Sequence, residues 1–396
     1  MTRPRPRPIV PPGPPRAGFT QVELLVVIVV MTLLIALLLP AINGAVRTAR
    51  NTAAQANLTQ LANALAAFKA KHGEYPPSRV LLWEDGWFRT GDTTVMPGVA
   101  GQTDLTAGQL AQRSLQHMRK FFPKATFSTS GAVWTNLNQW YDFNGDGQFG
   151  GLNPTSGAYE PSRPILLQGH QCLVFFLGGL PQQTDEGYSM TGFAKNPSNP
   201  FTPAVLPAVA TSSTFFSQNR EAPTFEFAAN RLLSAAPGEF PGYMDSLGNT
   251  LGGGQINFIA YFSAYGNNAY DPNDVNFAEV DEMGATILNR FKVRFPVSGA
   301  NGMANSPAPN PYTTGPTWAA TAAELTRLSV AYVNPQTYQL ISSGSDGLYG
   351  PGGTFKANTG ADALPFDAAA TTPAASANIR QRERDNLTNF HGGTLD

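Results

Sequence analysis

The run Asp142-Phe143-Asn144-Gly145-Asp146-Gly147 sets Asp142, Asn144 and Asp146 at alternating positions ahead of a glycine. On a tight loop that spacing turns three hard oxygen ligands inward, the chemistry of a calcium loop, and Gln148 adds a carbonyl. The twelfth position is Asn153, not the bidentate glutamate of an EF-hand, and no flanking helices are predicted. The competing reading is an Asx/Gly turn held by its own side chains. His170 stands two residues before Cys172. On a strand the two share a face, as a nucleophile pair or two metal ligands do. The run Cys172–Leu177 (CLVFFL) is strongly apolar, however, so Cys172 is expected as a buried small hydrophobe. No His-Glu-x-x-His, Gly-x-Ser-x-Gly or Walker-type phosphate loop occurs, so an enzyme is not expected.

The elements that hold these residues must come from an unusual composition. Charged residues are 13% of 396, against roughly 25% in ordinary globular chains. The formal charge of −1 gives no electrostatic argument for nucleic acid as a partner. With 39 glycines and 33 prolines, the body is expected to be rich in turns. A lone cysteine forms no intrachain disulfide.

The N-terminus carries the strongest pattern. Residues 1–18 hold Arg3, Arg5, Arg7 and Arg16, seven prolines and no acid, which predicts a basic, non-helical leader. Leu24–Leu39 is apolar except for Thr32. Counted from Phe19, the run gives roughly 32 Å of helix, against a bilayer core of about 30 Å. Beyond Pro40, the steps of three and four between Leu58, Leu61, Leu65 and Phe68 mark one helical face. Gly73, then Pro76 and Pro77, are the stop. The expectation is one helix over 19–72, bent at Pro40, with about 19–40 in a membrane and its second half amphipathic. Glu23 sits at or inside the hydrocarbon edge, where an acid needs a partner. A conventional secretory signal cut near Ala41 or Ala45 leaves both Glu23 and the helix to His72 unexplained.

The segment GFTQVELLVVIVVMTLLIALLLPAI resembles the N-terminal motif of type IV pilins and type II secretion pseudopilins. The resemblance implies cleavage by a prepilin peptidase after Gly18 and N-methylation of the new terminus, Phe19. It makes Glu23 the acid at the fifth mature position and Pro40 the helix-distorting proline. Gln21-Val22 departs from the commoner Leu-Ile. In such filaments Glu23 of one subunit meets the terminal amine of its neighbour, and the apolar stripe serves as anchor and then as filament core. The implied partners are the peptidase, other pilins or pseudopilins and an inner-membrane assembly platform. The implied location is the cytoplasmic membrane, single-pass, with the C-terminal head outside. The stretch 338–353, YQLISSGSDGLYGPGG, resembles the C-terminal strand and loop of major pseudopilin-like proteins, which implies Ser345 and Asp346 as further calcium ligands. The segment beginning Asp385-Asn386 resembles the closing segment of larger members, with Asp385 reaching toward a nearby loop.

For residues 73–396 the expected fold class is α+β, a large, loop-rich head with antiparallel sheet packed on the long helix. Strands are expected at Ile165–Leu167, Cys172–Leu177 (or helix), Ile256–Phe262, Arg290–Val297 and Tyr338–Ser342. Helical stretches are expected at Leu105–Phe122 and Ala319–Leu328, loops at Phe193–Ala210 and Ser298–Thr317, and a mobile loop at 357–378. The paired phenylalanines Phe121-Phe122, Phe175-Phe176 and Phe215-Phe216 are expected in the core. The functional expectation is a structural prepilin-like subunit of a secretion pseudopilus or related pilus. The alternative is a binding or enzymatic ectodomain on a pilin-type anchor.

Overall fold

The computed structural model describes residues 18, 20–93, 106–153, 156–184, 187–234, 239–247, 257–264, 270, 311–315, 331–347, 349, 352–357, 359, 363–364 and 382–395. The chain forms two compact units, Met1–Ala49 and Arg50–Asp396. It is an α+β protein with one long apolar N-terminal helix and small, mostly antiparallel sheets.

Helix α1 runs Gln21–His72, through Pro40. Thr20 and Glu23 close its start as a capping box. The Thr20 N–H donates to Glu23 Oε2 at 2.8 Å, and the Glu23 N–H donates to Thr20 Oγ1 at 3.2 Å. In the first unit the apolar residues from Val22 to Val46 are exposed, Leu24 at 57% and Leu34 at 52%. This stretch is long and apolar enough to cross a membrane. The hydroxyl of Thr32 donates back to the carbonyls of Ile28 and Val29, which removes the cost of a polar group among apolar neighbours. Gly73 ends α1 with φ +86, its N–H donating to Lys69 O at 2.7 Å.

In the second unit, Ala54, Leu58, Leu61, Ala64, Leu65 and Phe68 of α1 enter the main core. Phe68 meets Phe121 and Phe176 edge to face, with centroids 5.2 and 5.9 Å apart. Strand β1 (Arg79–Leu82) leads into α2 (Ala107–Phe121), which Thr106 and Gln109 cap reciprocally. The short pair β2 (Gly151–Leu152) and β3 (Tyr159–Glu160) precedes β4 (Ile165–Gln168), which pairs antiparallel with β1, Leu82 opposite Ile165.

Helix α3 (Gly169–Gly178) follows at once and settles the CLVFFL segment as helix, not strand. Every residue of α3 is buried, so a run apolar all round finds cover on all sides as a core helix. A Cβ on Gly169 would fall 1.9 Å from Tyr261 O, so only glycine lets the helix start there. His170 and Cys172 are both buried, and i, i+2 positions on a helix do not share a face. The strand-based pairing of these two side chains is therefore lost. Cys172 is the buried small hydrophobe expected.

The hairpin β5 (Pro181–Thr184) and β6 (Gly187–Met190) comes next, then the pair β7 (Leu232–Leu233) and β8 (Gly242–Tyr243). The remaining strands are β9 (Ala260–Ser263), β10 (Tyr312–Thr313), β11 (Tyr338–Ser342), β12 (Gly353–Thr354) and β13 (Leu387–Thr388). β11 lies between β9 and β13 in an antiparallel three-stranded sheet, while β10 and β12 pair in parallel. A second core gathers around this sheet, with Phe262, Tyr312, Tyr349 and Leu395. β10 falls within a stretch expected to be loop. Phe216 stays 40% exposed, unlike the other paired phenylalanines. The expected strand Arg290–Val297, the expected helix Ala319–Leu328 and most of 357–378 lie outside the described residues.

Candidate metal centre

The loop 140–150 is pinned by aromatic side chains. Trp140, Tyr141 and Phe143 are fully buried, and Tyr141 and Phe143 pack on Phe201 with centroids 5.3 and 4.6 Å away. Asp142, held between two such anchors, is carried inside with them and is 0% exposed. Its backbone N–H donates to Phe201 O at 3.2 Å. Gly145 adopts φ +67, and a Cβ there would meet Pro181 O at 2.0 Å, so the tight return of the loop requires glycine.

The structure adds an acid that the loop's spacing did not name. Glu84 sits two residues beyond β1 and is 0% exposed. Its backbone carbonyl accepts from the Tyr141 N–H at 2.9 Å, which stitches the end of β1 to the loop. Its carboxylate accepts from the Phe143 N–H at 3.2 Å and the Gly150 N–H at 2.6 Å. One ligand oxygen each from Glu84, Asp142 and Asp146 lies within 4.8 Å of the others. Among the described residues this is the one group of three or more metal-binding side chains so close together. The sequence did hold a signal. Glu84-Asp85 is an acid pair inside Leu81-Leu82-Trp83 and Trp87-Phe88, a run too apolar for two solvated charges. Asp85 is answered locally by Arg89, at 2.6 Å. Glu84 has no such neighbour among the ion pairs of the described residues.

The side chains expected as loop ligands divide in use. Asn144 Nδ2 donates to Asp146 Oδ2 at 2.8 Å, and the Asp146 N–H reaches Asn144 Oδ1 at 3.3 Å. Gln148 donates its backbone N–H to Asp146 Oδ1 at 2.8 Å. These are Asx-turn bonds. Asp142 takes no part in them: both its carboxylate oxygens are buried without a hydrogen-bond donor. The amides of Gly145 and Gly147 lie close enough to favour its charge, but outside hydrogen-bond geometry.

Burial is the main force on all three acids. It pushes Glu84 well above the usual carboxylate range, helped by the charges of Asp142 and Asp146 and opposed by the N–H groups of Gly150 and Phe143. Asp142 is likewise raised, first by burial and then by Asp146. Burial raises half-buried Asp146 too, against the pull of the Gln148 N–H and the Asn144 and Tyr159 side chains. Arg220 adds a cationic field at Asp142, but its guanidinium is occupied by the carbonyls of Thr191, Gly192, Thr202 and Ser217. Three carboxylates, two of them buried and Asp146 at the edge, thus face one another with no cation bonded to them among the described residues. Asp142 and Asp146 also line a groove of about 740 Å³ with Gly147, Tyr159, Tyr188 and Leu206.

The second expected calcium loop is arranged differently. Ser345 donates its N–H and hydroxyl to Asp385 Oδ2 at 2.7 and 2.6 Å, and the Asp346 N–H joins at 2.9 Å. Asp385 does reach a nearby loop, and it is the loop of Ser345 and Asp346. Donors face inward there, and a protein carboxylate meets them.

No protein-family model, no curated protein and no solved structure matches the chain. The long N-terminal apolar helix and a globular head are a layout compatible with a pilin-like protein. Gly18 and Glu23 lie at the start of that helix, both exposed, and Phe19 is outside the described residues.

Proposed function

We propose that this chain is a structural subunit of a pilin-like filament, made as a precursor and assembled into a type II secretion pseudopilus or a related type IV pilus-like fibre. The observation that carries the reading is the first half of α1, an apolar rod exposed along its length with Glu23 as its one acid. Such a surface requires lipid or other helices around it. The prepilin motif at Gly18, Phe19 and Glu23 supplies the route: cleavage and methylation at Phe19, then docking on an inner-membrane assembly platform beside copies of the same rod. In this reading Glu23 exchanges its hydrogen bonds to Thr20 for the terminal amine of a neighbouring subunit, a pairing that sets register.

Mass spectrometry of the natural N-terminus tests the proposal. A chain beginning at methylated Phe19 is expected; one beginning at Met1, or well past Leu39, overturns it. Glu23→Leu should insert in the membrane as the wild type does yet lose most filament incorporation, read by crosslinking between neighbouring α1 segments.

A further inference from the structure

We propose that Glu84, Asp142 and Asp146 bind one divalent cation of the calcium class, which clamps the chain after β1 to the 142–150 loop. Two oxygens that each sit about 2.4 Å from a shared calcium ion are at most about 4.8 Å apart. The three ligand oxygens meet that limit. Asp142 supplies the independent observation: a fully buried carboxylate with neither oxygen given a donor. Buried charges persist when they are paired or hold a metal. Its neighbours add negative charge, and the guanidinium of Arg220, the cation near it among the described residues, is occupied by carbonyls.

The donor set selects the ion. The cluster contains carboxylate oxygen and neither imidazole nor thiolate, which favours a hard cation over zinc, copper or iron. Calcium accepts six to eight oxygens in irregular geometry, whereas magnesium holds to a tight octahedron and keeps several waters. Glu84 and Asp142 come from buried, aromatic-packed segments, while Asp146 lines the groove. The groove gives an entry path and room for the waters that complete the shell. The assignment goes beyond the filament reading and does not depend on it, since none of the three acids lies in α1.

The test uses the full chain in detergent, stripped with chelator and returned to calcium or magnesium. Calcium should raise the melting temperature by several degrees and titrate calorimetrically as one site. Asp142→Asn should abolish that response while leaving the chelated protein at least as stable as the wild type, because it removes a buried charge. Glu84→Gln, which keeps a carbonyl for the backbone donors, is the second variant and should weaken calcium binding at least about 100-fold. An unchanged melting temperature at millimolar calcium overturns the site. A calcium response that survives in both variants places the ion elsewhere and overturns the assignment. An equal response to magnesium overturns the choice of calcium.

Discussion

The loops 142–148 and 342–347 both present aspartate, a small polar residue and glycine in a tight return, and they are opposite in electrostatic sense. In the second loop the backbone and hydroxyl hydrogens of Ser345 and Asp346 converge on one oxygen of Asp385. In the first loop the acids converge on one another, and both oxygens of Asp142 lack a donor. A loop whose donors face inward is completed by an anion, and here the chain supplies it from Asp385. A loop whose acceptors face inward calls for a cation, and the described residues bond none to it. The signature "Asp and Gly in a tight loop" therefore does not fix which ion the loop needs. The direction of the inward-facing groups does.

The largest effect is expected on the anion side. Asp385→Ala leaves two backbone N–H groups and a hydroxyl without their acceptor, at a residue only 9% exposed. The expected loss is about 3 kcal/mol of stability: a hydrogen bond to a charged group contributes about 1.5–3 kcal/mol, and because Ser345 and Asp346 are exposed, water takes up part of the loss of three such bonds. Asp385→Asn keeps an oxygen and should lose less. Denaturant unfolding of the full chain measures both. If Asp385→Ala costs no more than Asp142→Asn in the absence of calcium, the contrast between the two loops fails.

A second measurement keeps acid effects from being credited to the wrong loop. His170 is fully buried in α3, stacked on Phe258, and burial drives its pKa down to about 3. The folded chain therefore stays neutral at this site while the unfolded chain takes a proton below about 6.5. Because the unfolded state binds the extra proton, stability falls as pH drops from about 6.5 toward 3. Between pH 7 and pH 5 that amounts to about 2 kcal/mol from His170 alone. His170→Gln should flatten this part of the stability profile. A slope of unchanged size in that variant assigns the acid response to other groups.

The sequence was most readable where one element carries its own signal. The 3.6-residue spacing of Leu58, Leu61, Leu65 and Phe68 and the stop at Gly73 gave α1 its buried face and its end. The helical stretch expected at Leu105–Phe122 became α2, and the runs at Ile165 and Tyr338 became β4 and β11. CLVFFL stayed ambiguous because an apolar run carries no period, and only the packing of α3 on every side decides it. The candidate site was half legible. Asp142, Asn144 and Asp146 are close in sequence and visible as a spacing. Glu84 joins them through a β-strand end that pairs far along the chain, and no local pattern encodes that meeting. The fate of Ser345 and Asp346 was hidden for the same reason, since their anion arrives from Asp385.

The smallest effect separates side chain from backbone within the first loop. Spacing alone offers Gln148 as a carbonyl ligand, but the loop uses its main-chain N–H, donated to Asp146 Oδ1 at 2.8 Å. Gln148→Ala preserves that N–H and its geometry. It should therefore change stability by less than about 0.5 kcal/mol, the usual range for a substitution away from buried networks. Calcium affinity should shift by less than about twofold, because the three carboxylates carry the charge that attracts the ion. Calorimetric titration of the variant beside the wild type reads both values. A tenfold weakening would mean that the Gln148 side chain turns inward when the ion binds, and the loop would then owe its selectivity to side-chain reach as well as to the burial of Asp142 and Glu84.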